Sequence, residues 1–281
     1  GKKVPIPFNF NSIEMLFPSF LLNRIVEKLL KKYSYGAKIP ILELKKESDE
    51  DLKFLADFVY EKVFKNYSAK QWGLRPEEIN PEVTARVPIF IGRDNRYFSD
   101  RYQAIPNEGY SRIFERMLNH PNIKIMLNTH FKEVLNIDFE SKKIYFMGQE
   151  FKGKLIFTGM IDELFDFKYG YLPYRSLELS FETVEQEYYQ EVAVVNYPND
   201  YDFTRITEFK HIHPTKSERT TILKEFPKAY KANIDIPYYP VFAKENQELY
   251  NKYKEEADRF ENLILVGRLA EYRYYDMDDV I

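Results

Sequence analysis

Between Val266 and Asp278 the chain gathers two arginines, three tyrosines and two aspartates. The apolar run Leu263 to Val266 precedes them and is expected to be a buried strand that Gly267 ends. A solvated loop has no need of such aromatic density, and a core does not tolerate such charge. Charged and aromatic groups packed at the carboxyl end of a strand can hold an anionic ligand in an α/β protein. The bland alternative is an irregular surface turn.

Other residues invite the same weighing. Arg205 alternates with Ile206 in a strand-like stretch, so the two point to opposite faces. It is either a rim ion-pair partner or a pocket ligand. Arg86 lies in the Pro-flanked stretch 75–94 and reads either as a solvated arginine or as the cation of a closing loop. Trp72, the one tryptophan, stands between Gln71 and Gly73 and is either a packing residue or part of a pocket. His211 and His213 share a strand face, but Pro214 follows and no third ligand is near, so no metal site is expected.

The elements that must position these residues fall into an order. Pro5 and Pro7 keep residues 3–10 extended, and Asn11 or Ser12 is expected to cap a short helix. A second helix follows Pro18, with a stripe of Leu21, Leu22, Ile25, Val26, Leu29 and Leu30. A third is expected over 48–66 from a Ser48/Asp51 box, burying Leu52, Leu55, Phe58, Val59 and Val63. Pro106 leads into another helix, with Ile113, Met117 and Leu118 apolar. After it the period changes to two, and 123–125, 130–137 and 143–147 are expected to be strands. Leu155 to Phe157, Thr158-Gly159 and a helix from Ile161 give strand, glycine, helix, the local grammar of a cofactor-binding half. Stretches 177–181, 191–197, 204–209 and 220–226 are expected to make an antiparallel floor. An amphipathic helix over 244–260 closes on Leu249, Tyr253, Ala257 and Phe260. The expected class is mixed α/β: a helical subdomain over 11–80, with 1–10 as a strand segment and 81–281 as a mixed-sheet domain.

Composition bounds the rest. The chain has 281 residues, 44% hydrophobic, a net charge of −3 and no cysteine. The charge argues against a nucleic-acid partner. The missing cysteines exclude disulfides and thiolate chemistry. No apolar run approaches the roughly 20 residues of a membrane span. Glycine is scarce at 10, and no G-x-G-x-x-G or Walker loop occurs. Tyrosine and phenylalanine number 23 each, and aromatics suit stacking on bases and sugars.

Five blocks carry a resemblance. Gly267-Arg268-Leu269, Tyr272, Tyr274 and Met277-Asp278 resemble the carboxyl-terminal signature of the UDP-galactopyranose mutases. Lys70-Gln71-Trp72-Gly73 and Pro106-x-x-Gly109-Tyr110 with Phe114-Glu115-x-Met117-Leu118 agree in the same order. So do Thr158-Gly159-x-Ile161-Asp162 with Tyr174-Arg175-Ser176-Leu177, and Thr204 to Lys210. The resemblance implies interconversion of UDP-galactopyranose and UDP-galactofuranose through a reduced-flavin N5–sugar adduct, with FAD as cofactor. That chemistry belongs to galactofuranose and cell-wall polysaccharide biosynthesis. It implies that Arg86 and Arg205 hold the diphosphate, Arg86 as the mobile one, and that Tyr67 stacks on uracil. Trp72, Tyr97, Phe98, Arg175, Asn196, Tyr239 and Tyr274 are implied substrate contacts. Gly159, Arg268, Asp276 and Met277 are implied to lie on the flavin. Val63 stands where bacterial members often carry an aromatic, which thins the expected base sandwich.

The glycine-rich flavin segment and the last helix of such enzymes are expected to lie outside this stretch. The stretch is therefore expected to be a fragment that is inactive alone. Its alternatives are a catalytically silent nucleotide-sugar-binding fragment and another amine-oxidase-type flavoprotein. A cytoplasmic protein and a homodimer are further expectations.

Overall fold

The computed structural model describes residues 1–78 and 88–281. They form two compact units, each made of two stretches of chain: 1–103 with 175–236, and 104–174 with 237–281. The expected mixture of helices and antiparallel sheet is present. Among the described residues no helix is long and apolar enough to cross a membrane.

The first unit opens with α1 (Phe10–Leu16). Asn9 caps it, not Asn11 or Ser12, by accepting from both of their amides. The Asn9 amide meanwhile reaches Asn95 Oδ1 at 2.8 Å, a distant tie that local sequence does not reveal. Helix α2 (Ser19–Lys32) follows Pro18, and α3 (Ile41–Leu44) is a single turn. The helix expected over 48–66 begins at Glu50, capped by Asp49, and runs on to Trp72 as α4 (Glu50–Val59), a π-turn (Tyr60–Phe64) and α5 (Lys65–Trp72). Asp51 does not complete a box with Ser48. It takes Arg24 and, at 2.7 Å, Lys28.

The π-turn follows from the side chains. Leu52, Ala56, Tyr60, Phe64 and Ser68 recur every fourth residue and are all buried. In a regular helix a spacing of four precesses by about 40° per step, so such a stripe walks off its partner. One wide turn brings it back. Ile13, Ile25, Leu29, Leu44, Leu55 and Val59 pack with Ile89 and Ile91 into the core of this unit. Strands β1 (Lys38–Ile39) and β2 (Ile89–Phe90) pair antiparallel beside it.

The antiparallel floor of the first unit consists of β7 (Tyr174–Val184), β10 (Thr220–Ala229), β9 (Arg205–Glu208) and β8 (Val194–Asn196), in that spatial order.

The second unit holds α6 (Tyr110–Leu118), the single turn α7 (Phe131–Val134) and a meander of β3 (Leu135–Asp138), β4 (Lys143–Phe146) and β5 (Gln149–Glu150). Residues 123–125 form no strand, and 131–134 are helical because His130 and Glu133 make a capping box. Strand β6 (Leu155–Phe157) runs parallel to β12 (Leu263–Leu265), and α8 (Ile161–Leu164) follows β6. Helix α9 (Lys244–Ala257) buries Tyr250, Tyr253, Glu256 and Ala257. A buried glutamate breaks the expected stripe. Lys142 at 2.8 Å, Lys168 at 3.3 Å and Arg259 at 3.1 Å surround it, and Lys142, then Lys168, hold its carboxyl below the ordinary range against the effect of burial. The short strand β11 (Tyr239–Pro240) and helix α10 (Met277–Val280) complete the unit.

Candidate functional site

In the first unit Arg205 stands at the start of β9. Its direct neighbours across the sheet are Asn196 on β8 and Glu225 on β10. Directly opposed residues share a face, so Asn196, Arg205 and Glu225 form one row, while Ile206 is buried on the other side. Arg205 Nη2 donates to the Tyr67 hydroxyl at 3.0 Å, so α5 lies over the row. Arg205 Nε lies 3.3 Å from a Glu225 carboxylate oxygen. Burial pushes the Glu225 carboxyl up, and the guanidinium partly pulls it back. A planar cation fixed between a phenol and a carboxylate, with its side chain 29% exposed, can grip an anion through two donors.

Helix α5 is anchored so that Tyr67 and Trp72 keep their places. Lys70 Nζ donates to the Tyr197 carbonyl at 2.8 Å, and burial lowers its pKa. Gly73 ends the helix at φ 69°, in the left-handed region. Arg175 comes from β7 to this end, donating to the carbonyls of Gln71 at 3.0 Å and Lys70 at 2.9 Å. A Cβ on Gly73 would lie 3.2 Å from Arg175 Nη1. Two constraints therefore favour glycine there: backbone conformation and the arriving arginine. Arg175, expected at the substrate, has two donors on a helix end. Tyr97 and Phe98 are about half exposed and meet edge to face at 4.9 Å. Arg86 lies outside the described residues.

In the second unit the parallel strands β6 and β12 both run out toward glycines. A Cβ on Gly159 would come within 2.8 Å of the buried Phe157 ring. Gly267 has φ 88°, and its amide donates to Glu271 Oε2 at 2.9 Å. Arg268 then lies against aromatic faces. Its guanidinium carbon is 4.2 Å from the Tyr274 ring centre and 5.5 Å from that of Tyr239. Those two rings are parallel within 3° at 6.2 Å. Its Nε donates to the Tyr275 carbonyl at 2.6 Å, and Asp276 is 4.0 Å from Nη2. The cation is thereby fixed in orientation. Met277, exposed, opens α10, for which Asp276 supplies a capping box.

Tyr272 explains part of the aromatic density. It is 1% exposed with φ 47°, a conformation uncommon for a bulky residue. Its hydroxyl donates to the Pro173 carbonyl at 2.6 Å, and its ring meets Tyr174 and Tyr250. Asp162, buried, accepts from the Leu172 amide at 2.9 Å and the Tyr174 hydroxyl at 3.3 Å, and burial raises its pKa. This tyrosine is architectural, whereas Tyr274 flanks the arginine.

Reading the residues alone missed Glu225, Lys70 and Asn199. Glu225 was within reach: pairing the two alternating stretches antiparallel sets it opposite Arg205. Asn199 donates to the Lys62 carbonyl at 2.9 Å and Lys70 to the Tyr197 carbonyl at 2.8 Å, both far away in sequence, and neither leaves a local signal. The two histidines do not share a strand face: β9 ends at Glu208, and His211 closes the 3-10 turn Phe209–His211. His211 Nε2 contacts the Gln190 carbonyl at 2.7 Å and lies 3.4 Å from Glu208. Among the described residues no group of three metal-ligating side chains occurs.

The fold is a mixed α/β one, and each unit holds an arginine against a tyrosine: Arg205 beside Tyr67 in the first and Arg268 beside Tyr274 in the second. The profile of the UDP-galactopyranose mutase family matches residues 62–274. A dTDP-fucopyranose mutase of Escherichia coli is 34% identical over 99% of this chain and 71% of its own length. A UDP-galactopyranose mutase of Mycoplasma genitalium is 34% identical over 98% of this chain and 69% of its own. A probable UDP-galactopyranose mutase of Klebsiella pneumoniae is 32% identical over 100% and 69%. A crystal structure of reduced UDP-galactopyranose mutase superposes with a TM-score of 0.59 over 92% of this chain and 68% of that one, at 15% identity, and shares the fold. The chain belongs to the UDP-galactopyranose mutase family.

Proposed function

We propose that this chain serves the interconversion of UDP-galactopyranose and UDP-galactofuranose. The observation that carries the reading is Arg205, held between Tyr67 and Glu225 on the antiparallel floor of the first unit. As the glycosidic bond breaks, negative charge grows on the departing diphosphate. A cation fixed in advance stabilises that charge more than the substrate's. Arg205 is the fixed diphosphate ligand, and Arg86 the second. In the first unit Tyr67 and Trp72 are assigned to the uridine and Tyr97, Phe98, Arg175 and Asn196 to the rest of the substrate; in the second unit Tyr239 and Tyr274 are assigned as further substrate contacts.

The cofactor of this reading is FAD, which when bound and reduced supplies the nucleophile for the anomeric carbon. The second unit suits the ring end of a flavin. Two parallel strands end at glycines, and Arg268 stands oriented beside them with Asp276 near. Gly159, Arg268, Asp276 and Met277 are the residues that would hold it.

The test is an anaerobic assay with dithionite and saturating FAD, following UDP-galactofuranose by chromatography. UDP-galactopyranose should form only when the flavin is reduced. UDP binding without conversion would leave a silent nucleotide-sugar binder. Faster conversion of dTDP-fucofuranose would move the substrate to that of the Escherichia coli relative.

A further inference from the structure

The loop between β8 and β9 joins the strand of Asn196 to the strand of Arg205. It meets the helix through three residues on one helix face, at positions 62, 66 and 70. Asn199 Nδ2 donates to the carbonyl of Lys62 at 2.9 Å. Asn66 Nδ2 donates to Asn199 Oδ1 at 3.0 Å. Lys70 Nζ donates to the Tyr197 carbonyl at 2.8 Å. Lys62 lies inside the π-turn Tyr60–Phe64. A wide turn departs from the regular i to i+4 ladder, and wide turns concentrate at functional sites. A side-chain donor on a carbonyl within it favours the wide turn over a regular one.

The phase of the helix is at stake. One extra residue in a turn rotates everything beyond it by about 100°. Tyr67 lies three residues past the π-turn and accepts from Arg205 at 3.0 Å. The meeting of Tyr67 with Arg205 thus depends on a turn held open by the loop that leads into Arg205. We infer that Asn199 is a positioning residue for nucleotide-sugar binding: it locks the π-turn and so sets Tyr67 and Trp72 against Arg205. The inference rests on the proposed function for its ligand, but not for its structural half.

Two measurements on the full chain separate these halves. Hydrogen exchange of segment 60–72 without ligand reads the lock itself. Asn199→Ala and Asn199→Asp should both speed exchange there by about fivefold, the effect of losing one hydrogen bond. Asn199→Asp keeps the shape and the acceptor for Asn66 but loses the donor to Lys62. Asn66→Ala, which removes only the other arm, should change exchange little. UDP titration, followed by Trp72 fluorescence, reads the consequence. Both Asn199 variants should weaken UDP by about fivefold. Unchanged exchange in 60–72 overturns the inference whatever the nucleotide does. Faster exchange with unchanged UDP affinity overturns the positioning role. A wild-type chain that binds no UDP sinks the proposed function instead, and the exchange arm still stands.

Discussion

Tyr67 has two candidate tasks, and two variants tell them apart. Its hydroxyl accepts from Arg205 at 3.0 Å, and its ring is the candidate platform for uracil. Tyr67→Phe removes only the hydroxyl. A hydrogen bond to a charged group contributes about 1.5–3 kcal/mol. Arg205 is 29% exposed and keeps Glu225 at 3.3 Å, so the low end or below applies, about 1 kcal/mol. That is a loss of about fivefold, and it should fall on turnover, since charge on the diphosphate grows in the transition state. UDP affinity should move less. Tyr67→Ala also removes the ring, and base stacking is worth roughly 1–3 kcal/mol. UDP should then bind about 5- to 150-fold more weakly. Calorimetric titration gives the affinities, and the anaerobic assay gives the rates. Equal losses of UDP affinity in Phe and Ala would refute the stacking role, and no change in either would put the base elsewhere.

Arg205→Lys keeps the charge but loses the planar fork, so turnover should fall by about tenfold or more while the fold is retained; steady-state kinetics and circular dichroism check this. Gly73→Ala should lower stability by about 1 kcal/mol for the left-handed backbone, with a further loss from crowding Arg175, measured by urea unfolding. Arg24 and Lys28 hold the Asp51 carboxyl down to about 2 from 3.8. A depressed carboxyl stabilises above its unfolded value, so this contribution is complete above pH 3.8 and lost as pH falls toward about 2. Acid titration of Asp51→Asn should therefore show a flatter stability curve in that window than the wild type.

The family was legible because its blocks are local strings, and the antiparallel floor because alternation is a local pattern. The ends of helices were not. Asn9 displaces Asn11 as a cap through a partner 86 residues away, and the third helix runs past Asn66 because a π-turn restores its stripe. Charge in the interior was equally hidden: buried Glu256 is answered by Lys168 and by Lys142, 114 residues away. The Val266–Asp278 stretch carried two signals at once. Tyr272 is packed in the core of its unit, while Arg268 and Tyr274 make the candidate site.

The central claim is that Arg205 receives the diphosphate of a uridine nucleotide sugar. Calorimetric titration of the chain with UDP-galactose, wild type against Arg205→Ala, tests it most directly. Saturable binding at one site, competed by UDP and weakened at least about tenfold by the substitution, is the predicted result, in line with losing a charged ligand. Absence of saturable binding by the wild type, or equal affinity in the variant, would contradict it.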